Sequence, residues 1–220
     1  MNNYAIIAAK SNSQRLKKKN FIKIDGKSLL NHVYENCLKS KIFKNIIISS
    51  DKILNFNNKE FKFHLRSKDL THSKVSVFKV SRKIIKEYKL KNNDNIFIIY
   101  PTAILIKKKV IKKSKNIFLK SEYDCLMGAS KMTSSPFKAL YKTKNNYFKP
   151  LMNKQILKQS DKNFFFCNGS FFWIKVKHIK KYNNFYTPKL GIYELQTKES
   201  CDVDDVNDLK ILKKKYFKQL

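Results

Sequence analysis

A chain of 220 residues is long enough for one domain with a sizeable buried core, and 42% hydrophobic content argues against disorder. No apolar run approaches the ~20 residues of a membrane span, and the N-terminus lacks the layout of a signal peptide. The formal net charge of +32 invites a nucleic-acid reading, but it is almost all lysine, with arginine only at Arg15, Arg66 and Arg82, and recognition of bases and phosphates leans on arginine's planar fork.

In chain order, YAIIAA (4–9) reads as a first strand and SLLNHVYENCLKSK (28–41) as a helix, with Leu29, Leu30, Val33, Cys37 and Leu38 at helical spacing. NIIISSD (45–51) and FKFHLR (61–66) read as strands, 75–88 as a helix, IFIIYP (96–101) as a strand, 107–120 as a helix and YDCLMGAS (123–130) as a strand. Residues 134–170 break the rhythm with short aromatic and lysine-rich pieces. Strands at 171–176 and 191–195 and a helix near 205–217 close the chain. Near-continuous apolar strands separated by helices predict an α/β fold, three layers around a mostly parallel sheet.

Lysine is spread over every segment, and Lys, Asn, Ile, Phe and Tyr are abundant together, which an AT-rich genome explains economically. The charge therefore implies loose affinity for polyanions at low salt and no specific nucleic-acid partner. Cys37, Cys125, Cys167 and Cys201 form no Cys-x-x-Cys pair and read as thiols of a reducing compartment, so a cytoplasmic protein without a membrane partner is expected. The four histidines show no metal spacing, and His72 and His178 are expected to face solvent.

In an open parallel sheet, ligands sit beyond the carboxyl ends of the strands. There, after the first strand, lies KSNSQRLKKKN (10–20), which is neither a Walker loop nor a Gly-x-Gly-x-x-Gly turn. It reads as a solvated basic loop or as a cradle for a triphosphate. Near the C-terminus, CDVDDVNDL (201–209) gathers four of the chain's 16 acids. Alternate residues of an extended segment project to one side, so Asp202 and Asp204 can face one cation, and Mg2+ takes such hard oxygen ligands together with substrate phosphates. Asp205 and Asp208 suit the start of the following helix.

The strand, the basic loop with KKN, then IDGKSLL and IIISSD resemble the cytidylyltransferases that activate nonulosonic acids, the sialic, pseudaminic and legionaminic group. The family opening Ala-Arg-Gly-Gly-Ser-x-Arg-x-Pro-x-Lys-Asn is matched at Ala9, Ser13, Arg15, Lys19 and Asn20. Lys10 replaces the first arginine, Ser11 and Asn12 the glycines, and Lys17 the proline. The similarity continues through LRSKDL (65–70), YPTAIL (100–105), SSPFKALYK (134–142), FFCNGSFFW (165–173) and CDVDDVNDL, and leans mildly to the pseudaminic branch.

The resemblance implies a nucleotide-diphospho-sugar transferase (Rossmann-like) fold over residues 1–220. It also implies transfer of CMP from CTP to a sugar acid for glycan synthesis, with Mg2+ as cofactor. Lys10, Arg15 and Lys19 would hold the triphosphate, assisted by Ala9, Ser11, Asn12 and Ser13 and by backbone amides of 11–14. Asn20, Arg66 and, by a looser match, Ser76 would take the nucleoside. Tyr100, Lys138, Gln159, Asn168, Phe171 and Phe172 would line the acceptor pocket, and Asp202 and Asp204 would hold the metal. A homodimer is implied, with an insertion at about 134–170 crossing to the partner; Phe137, Phe148, Phe164 and Phe165 fit such a contact or a local cluster. Another sugar nucleotidyltransferase of the 3-deoxy-octulosonate type, an inactive homologue, and a lysine-rich nucleic-acid binder are the alternatives.

Overall fold

Alternation along the strands sends apolar side chains to both faces of one sheet, so two cores form rather than one. The computed structural model describes residues 1–11, 13, 15–53, 60–72, 74–151 and 164–219. Strands β1 (Asn3–Ala8), β4 (Asn45–Ser50), β5 (Phe61–Leu65), β6 (Asn95–Ile99), β7 (Cys125–Lys131), β10 (Phe165–Lys175) and β11 (Leu190–Glu194) build a seven-stranded sheet in the order β11-β7-β10-β6-β1-β4-β5. Among the described residues, β10 alone runs against its neighbours; the other pairings are parallel. Two short hairpins lie outside the sheet: β2 (Lys23–Ile24) with β3 (Lys27–Ser28), and β8 (Leu140–Lys142) with β9 (Phe148–Pro150).

Helices α1 (Leu29–Ser40), α3 (Lys108–Lys120) and α5 (Val206–Phe217) cover one face, where Ala5, Ile7, Phe97, Ile99, Phe171 and Trp173 point. Helices α2 (Val77–Glu87) and α4 (Val176–Lys181) cover the other, over Tyr4, Ile6, Ile96, Ile98, Phe172 and Ile174. Three layers follow from this period-two division. Local chemistry sets the joints. Asp25 and Gly26 both take positive φ, 50° and 71°, in the two-residue turn between β2 and β3, the geometry that Asp-Gly favours. Ser28 then caps α1, its side chain accepting from the Asn31 amide at 3.1 Å. At α5 the cap is Asp205, which accepts from the amides of Asn207 and Asp208, so Asp205 belongs to the helix start.

Most expected elements lie within a few residues of their predicted positions. The main difference is β10, which extends back to Phe165 and is antiparallel. Apolar periodicity carries no direction, and the polar CNGS within this strand masks its first half. His72 is exposed, as expected, but His178 is not: its ring stacks on Tyr182 and its Nδ1 lies 3.3 Å from Asp124 Oδ1. Its contacts with Tyr182 and with Asp124, just before β7, leave it only partly exposed. No helix among the described residues is long and apolar enough to cross a membrane.

The parallel strands end at one edge. Lys10 and Ser11 follow β1, Asp51 follows β4, Arg66 follows β5 and Tyr100 follows β6, while reversed β10 brings Asn168 and Gly169 to the same edge.

Candidate active site

Two groups of side chains meet at this edge. The first surrounds the basic loop. Asn20 is buried and donates through Nδ2 to the Lys10 carbonyl at 2.8 Å, which pins the ends of the loop together. Ser13 and Ala9 are buried beneath it. The Lys19 ammonium donates to the Val203 carbonyl and lies 3.4 Å from Asp204 Oδ1, while Arg15 Nη1 lies 2.6 Å from Asp204 Oδ2. Lys19 is 21% exposed and Arg15 72%, so the lysine is the enclosed member of this pair and the arginine the solvated one.

Behind the loop stands a polar line of which the sequence singled out Ser11 and Arg66 but not Asp51, Ser49 or His64. Asp51 accepts from the Ser11 amide at 2.6 Å and from Ser11 Oγ at 2.7 Å. The Ser11 amide, expected to serve a phosphate directly, is thus already committed. Arg66 is buried and donates through Nε to Ser49 Oγ at 2.9 Å and through Nη2 to the Ser49 carbonyl at 3.2 Å. With Ser49 Oγ accepting there, its proton goes to His64 Nδ1 at 2.9 Å, which makes His64 the Nε2–H tautomer facing Glu87 at 3.2 Å. Burial draws the Arg66 guanidinium down to about 10, opposed by the Asp51 charge. Burial works to raise the Asp51 carboxyl, but the two Ser11 donations and Arg66 hold it below the ordinary range.

Arg66→Ala is expected to destabilise the fold by roughly 1–3 kcal/mol, because Ser49 and Asp51 lose their buried partner. Arg66→Lys should restore little of this, since an ammonium cannot span both Ser49 acceptors. Urea denaturation of both variants measures it.

The second group lines a cavity of about 450 Å³. Phe78, Phe172 and Phe185 make an apolar wall, with the Phe172 and Phe185 rings stacked at 4.0 Å between centroids. Ser76, Tyr100, Asn183, Asn184, Tyr186 and Asp202 provide polar atoms, and Cys167 and Gly169 complete the lining with Val77. Burial pushes the Tyr100 phenol up to about 12, with Cys167 and Asp202 adding to it, so it stays a neutral donor. Burial and then the Asp204 charge also raise the Asp202 carboxyl, only partly offset by Lys19.

A bulge in β10 shapes this cavity. The pairing of β10 with β7 shifts register between Cys167 and Phe172, and Gly169 there has φ +61°, a conformation other residues rarely adopt. The shift turns Cys167 and Phe172 to one face although five positions separate them. Phe171, expected in the acceptor pocket, is instead fully buried against Phe97 and Tyr193 on the opposite face. Asn168 also lies behind the wall: its Nδ2 donates to Ser130 Oγ and Ser200 Oγ, and its Oδ1 accepts from Ser170 Oγ at 2.7 Å. Lys138 is exposed and is not among the lining residues, and Ser76, which is, caps α2. Asn12 and Gln159 lie outside the described residues.

Asp202 and Asp204 connect the groups, one in the cavity wall and the other on Lys19 and Arg15. Burial and then the Asp204 charge penalise the ionised Asp202, a charge that a divalent cation relieves, and the two carboxylates supply hard oxygen donors, so the residues fit Mg2+. Among the described residues no cluster of three or more potential metal ligands occurs.

A family model described as cytidylyltransferase matches residues 4–220. A pseudaminic acid cytidylyltransferase of Campylobacter jejuni is 27% identical over 229 residues, covering 97% of this chain and 95% of that protein. An N-acylneuraminate cytidylyltransferase of Streptococcus agalactiae is 21% identical over 210 residues, 92% of this chain and 50% of that protein. In three dimensions the chain is similar to CMP:2-keto-3-deoxy-manno-octonic acid synthetase solved with CTP, with a TM-score of 0.70, 13% identity and 100% of both chains covered. It is also similar to a Francisella tularensis 2-C-methyl-D-erythritol 4-phosphate cytidylyltransferase, with a TM-score of 0.68, 14% identity, and 98% and 100% covered. At these identities the structural likeness establishes the fold.

Proposed function

The chain belongs to the cytidylyltransferase family, CTP-dependent nucleotidyltransferases, and we propose that it transfers CMP to a nonulosonic acid of the pseudaminic, legionaminic or sialic type. The anomeric hydroxyl of the acid attacks the α-phosphorus of CTP, and pyrophosphate leaves. Lys10, Arg15 and Lys19 hold the phosphates and meet the charge that grows on the leaving oxygens. Arg66 and Asn20 lie toward the nucleoside. Tyr100, Phe172 and the Asn183–Tyr186 segment receive the acid. Asp202 and Asp204 would hold Mg2+, which would neutralise phosphate charge.

The observation that carries this reading is the Asp202–Asp204 step. One residue lies in the wall of an acceptor-sized cavity and the next but one lies against the phosphate-loop cations, so donor and acceptor meet across three residues. The C. jejuni relative, aligned over nearly its whole length, favours the pseudaminic branch. A single catalytic domain, a homodimer and a cytoplasmic location go with this reading. In support of the dimer, the β8–β9 hairpin exposes Leu140, Tyr147, Phe148 and Leu151, an apolar surface that a second copy would cover.

The test is pyrophosphate release with CTP, UTP, ATP and GTP crossed with pseudaminic, legionaminic, sialic and 3-deoxy-octulosonic acids. Turnover is expected with CTP and a nonulosonic acid. Turnover confined to 3-deoxy-octulosonic acid would move the protein to the other sugar-acid branch, and none with any acid would refute the proposal.

A further inference from the structure

The phosphate loop lacks the glycines that let a backbone wrap closely around an anion, yet its start at Lys10 and Ser11 is tied down. Among its described residues, the hold comes from two side chains outside its centre. Asn20 closes the base of the loop through the Lys10 carbonyl, and Asp51, from the next strand of the sheet, takes both donors of Ser11. The Asp51 contact is two-pronged, one carboxylate oxygen for the amide at 2.6 Å and the other for the hydroxyl at 2.7 Å. Such a fork fixes the Ser11 peptide plane and side-chain rotamer together, which a single hydrogen bond cannot do. Ser11 adjoins Lys10, so the direction in which the chain leaves β1 is set at this point.

Asp51 is itself held. Ser50 Oγ lies 3.4 Å from its Oδ1, and the buried Arg66 supplies the opposite charge from the end of β5. Arg66 in turn is fixed on Ser49. The carboxylate therefore arrives at the loop ionised and aimed, with its own supports already paid for by two neighbouring strands.

We propose that Asp51 is the positioning residue of the nucleotide site, clamping Ser11 so that the loop presents its cations to the triphosphate. This rests on the reading of the loop as a phosphate cradle. Asp51 touches neither nucleotide nor acceptor in this account; it acts through Ser11.

The test uses the full chain, wild type and with Asp51→Ala, Asp51→Asn and Ser11→Ala, in two arms. The first needs no nucleotide: amide hydrogen exchange at Ser11 is expected to speed up at least about tenfold in Asp51→Ala, while exchange in β6 stays unchanged. The second measures nucleotide binding by calorimetry. Asp51→Ala is expected to weaken CTP by about ten- to a hundredfold, the scale of losing a pair of charge-assisted hydrogen bonds. Asp51→Asn, which keeps one acceptor oxygen, should fall between, and the loss should be equal for CTP and UTP because the clamp serves the phosphates they share. Combining Ser11→Ala with Asp51→Ala should add little to Asp51→Ala alone.

CTP binding within about twofold of wild type in a folded Asp51→Ala protein overturns the proposal, as does a loss confined to CTP. If Asp51→Ala fails to fold, Ser11→Ala decides: several-fold weaker CTP at unchanged Tm supports the clamp, and unchanged CTP affinity overturns it. A wild-type protein that binds no CTP refutes the phosphate-cradle reading instead, and the exchange arm still reports whether the clamp exists.

Discussion

Lys19→Ala is expected to cut turnover with CTP by roughly two to three orders of magnitude, the usual cost of removing one preorganised contact to developing charge. Of the two cations on Asp204, Lys19 is the less exposed, and it is also anchored on the Val203 carbonyl. A cation already anchored in this way needs little rearrangement to meet developing charge. Arg15 is mostly in solvent, so Arg15→Ala should cost less, about tenfold. Lys10→Ala should resemble Lys19→Ala, and Lys10→Arg should keep or improve activity by restoring a bidentate fork. Lys17 and Lys18 are exposed on the same loop, and their alanine variants should stay within about twofold of wild type. Steady-state kinetics on the six variants, with circular dichroism as a check on folding, reads this directly. Uniform silence would make the loop merely solvated.

Asp204→Asn is expected to remove most divalent-cation-dependent turnover while leaving the circular dichroism spectrum intact. Asp202→Asn should do the same but carry a further signature. Burial and Asp204 raise the Asp202 carboxyl in the folded chain, so between the unfolded and folded values the native state holds the extra proton. Ionised Asp202 therefore costs stability at neutral pH, and the cost vanishes as pH falls below the unfolded value of about 3.9. Asp202→Asn should thus raise Tm slightly at pH 7 and not at pH 3, while turnover falls. Loss of activity together with gain of stability is what a site that stores charge for a cation gives. Near-wild-type turnover in either variant would refute the metal assignment.

Much of the fold was legible because its signals are local. Apolar runs at 4–9, 45–51 and 96–101 are long and β-branched, and Leu29, Leu30, Val33 and Cys37 recur at helical spacing, so type and order follow from periodicity. The Asp-Gly turn and the Ser28 cap are likewise written in adjacent residues. What was not legible depends on contacts between distant segments. The reversal of β10 is set by its partners β6 and β7, and its bulge brings Cys167 and Phe172 to one face in a way that only Gly169 hints at. Asp51 sat in view at the end of the IIISSD strand, but its tie to Ser11 spans 40 positions and no spacing rule reaches that far. The same holds for Asn183, Asn184 and Tyr186, whose segment carries no motif and becomes part of the cavity wall only by packing on Phe78 and Phe172.

The central claim is that the triphosphate cradle and the acceptor cavity meet at Asp202–Asp204 so that the α-phosphoryl group passes with its nucleoside to a sugar acid. Following label from CTP tests it most directly. With pseudaminic acid as acceptor and Mg2+ present, 32P at the α position should appear in an acid-dependent CMP-sugar, and 32P at the γ position only in pyrophosphate. Label from the γ position in the sugar product, or α label that stays in CTP whether or not a sugar acid is present, would contradict the account.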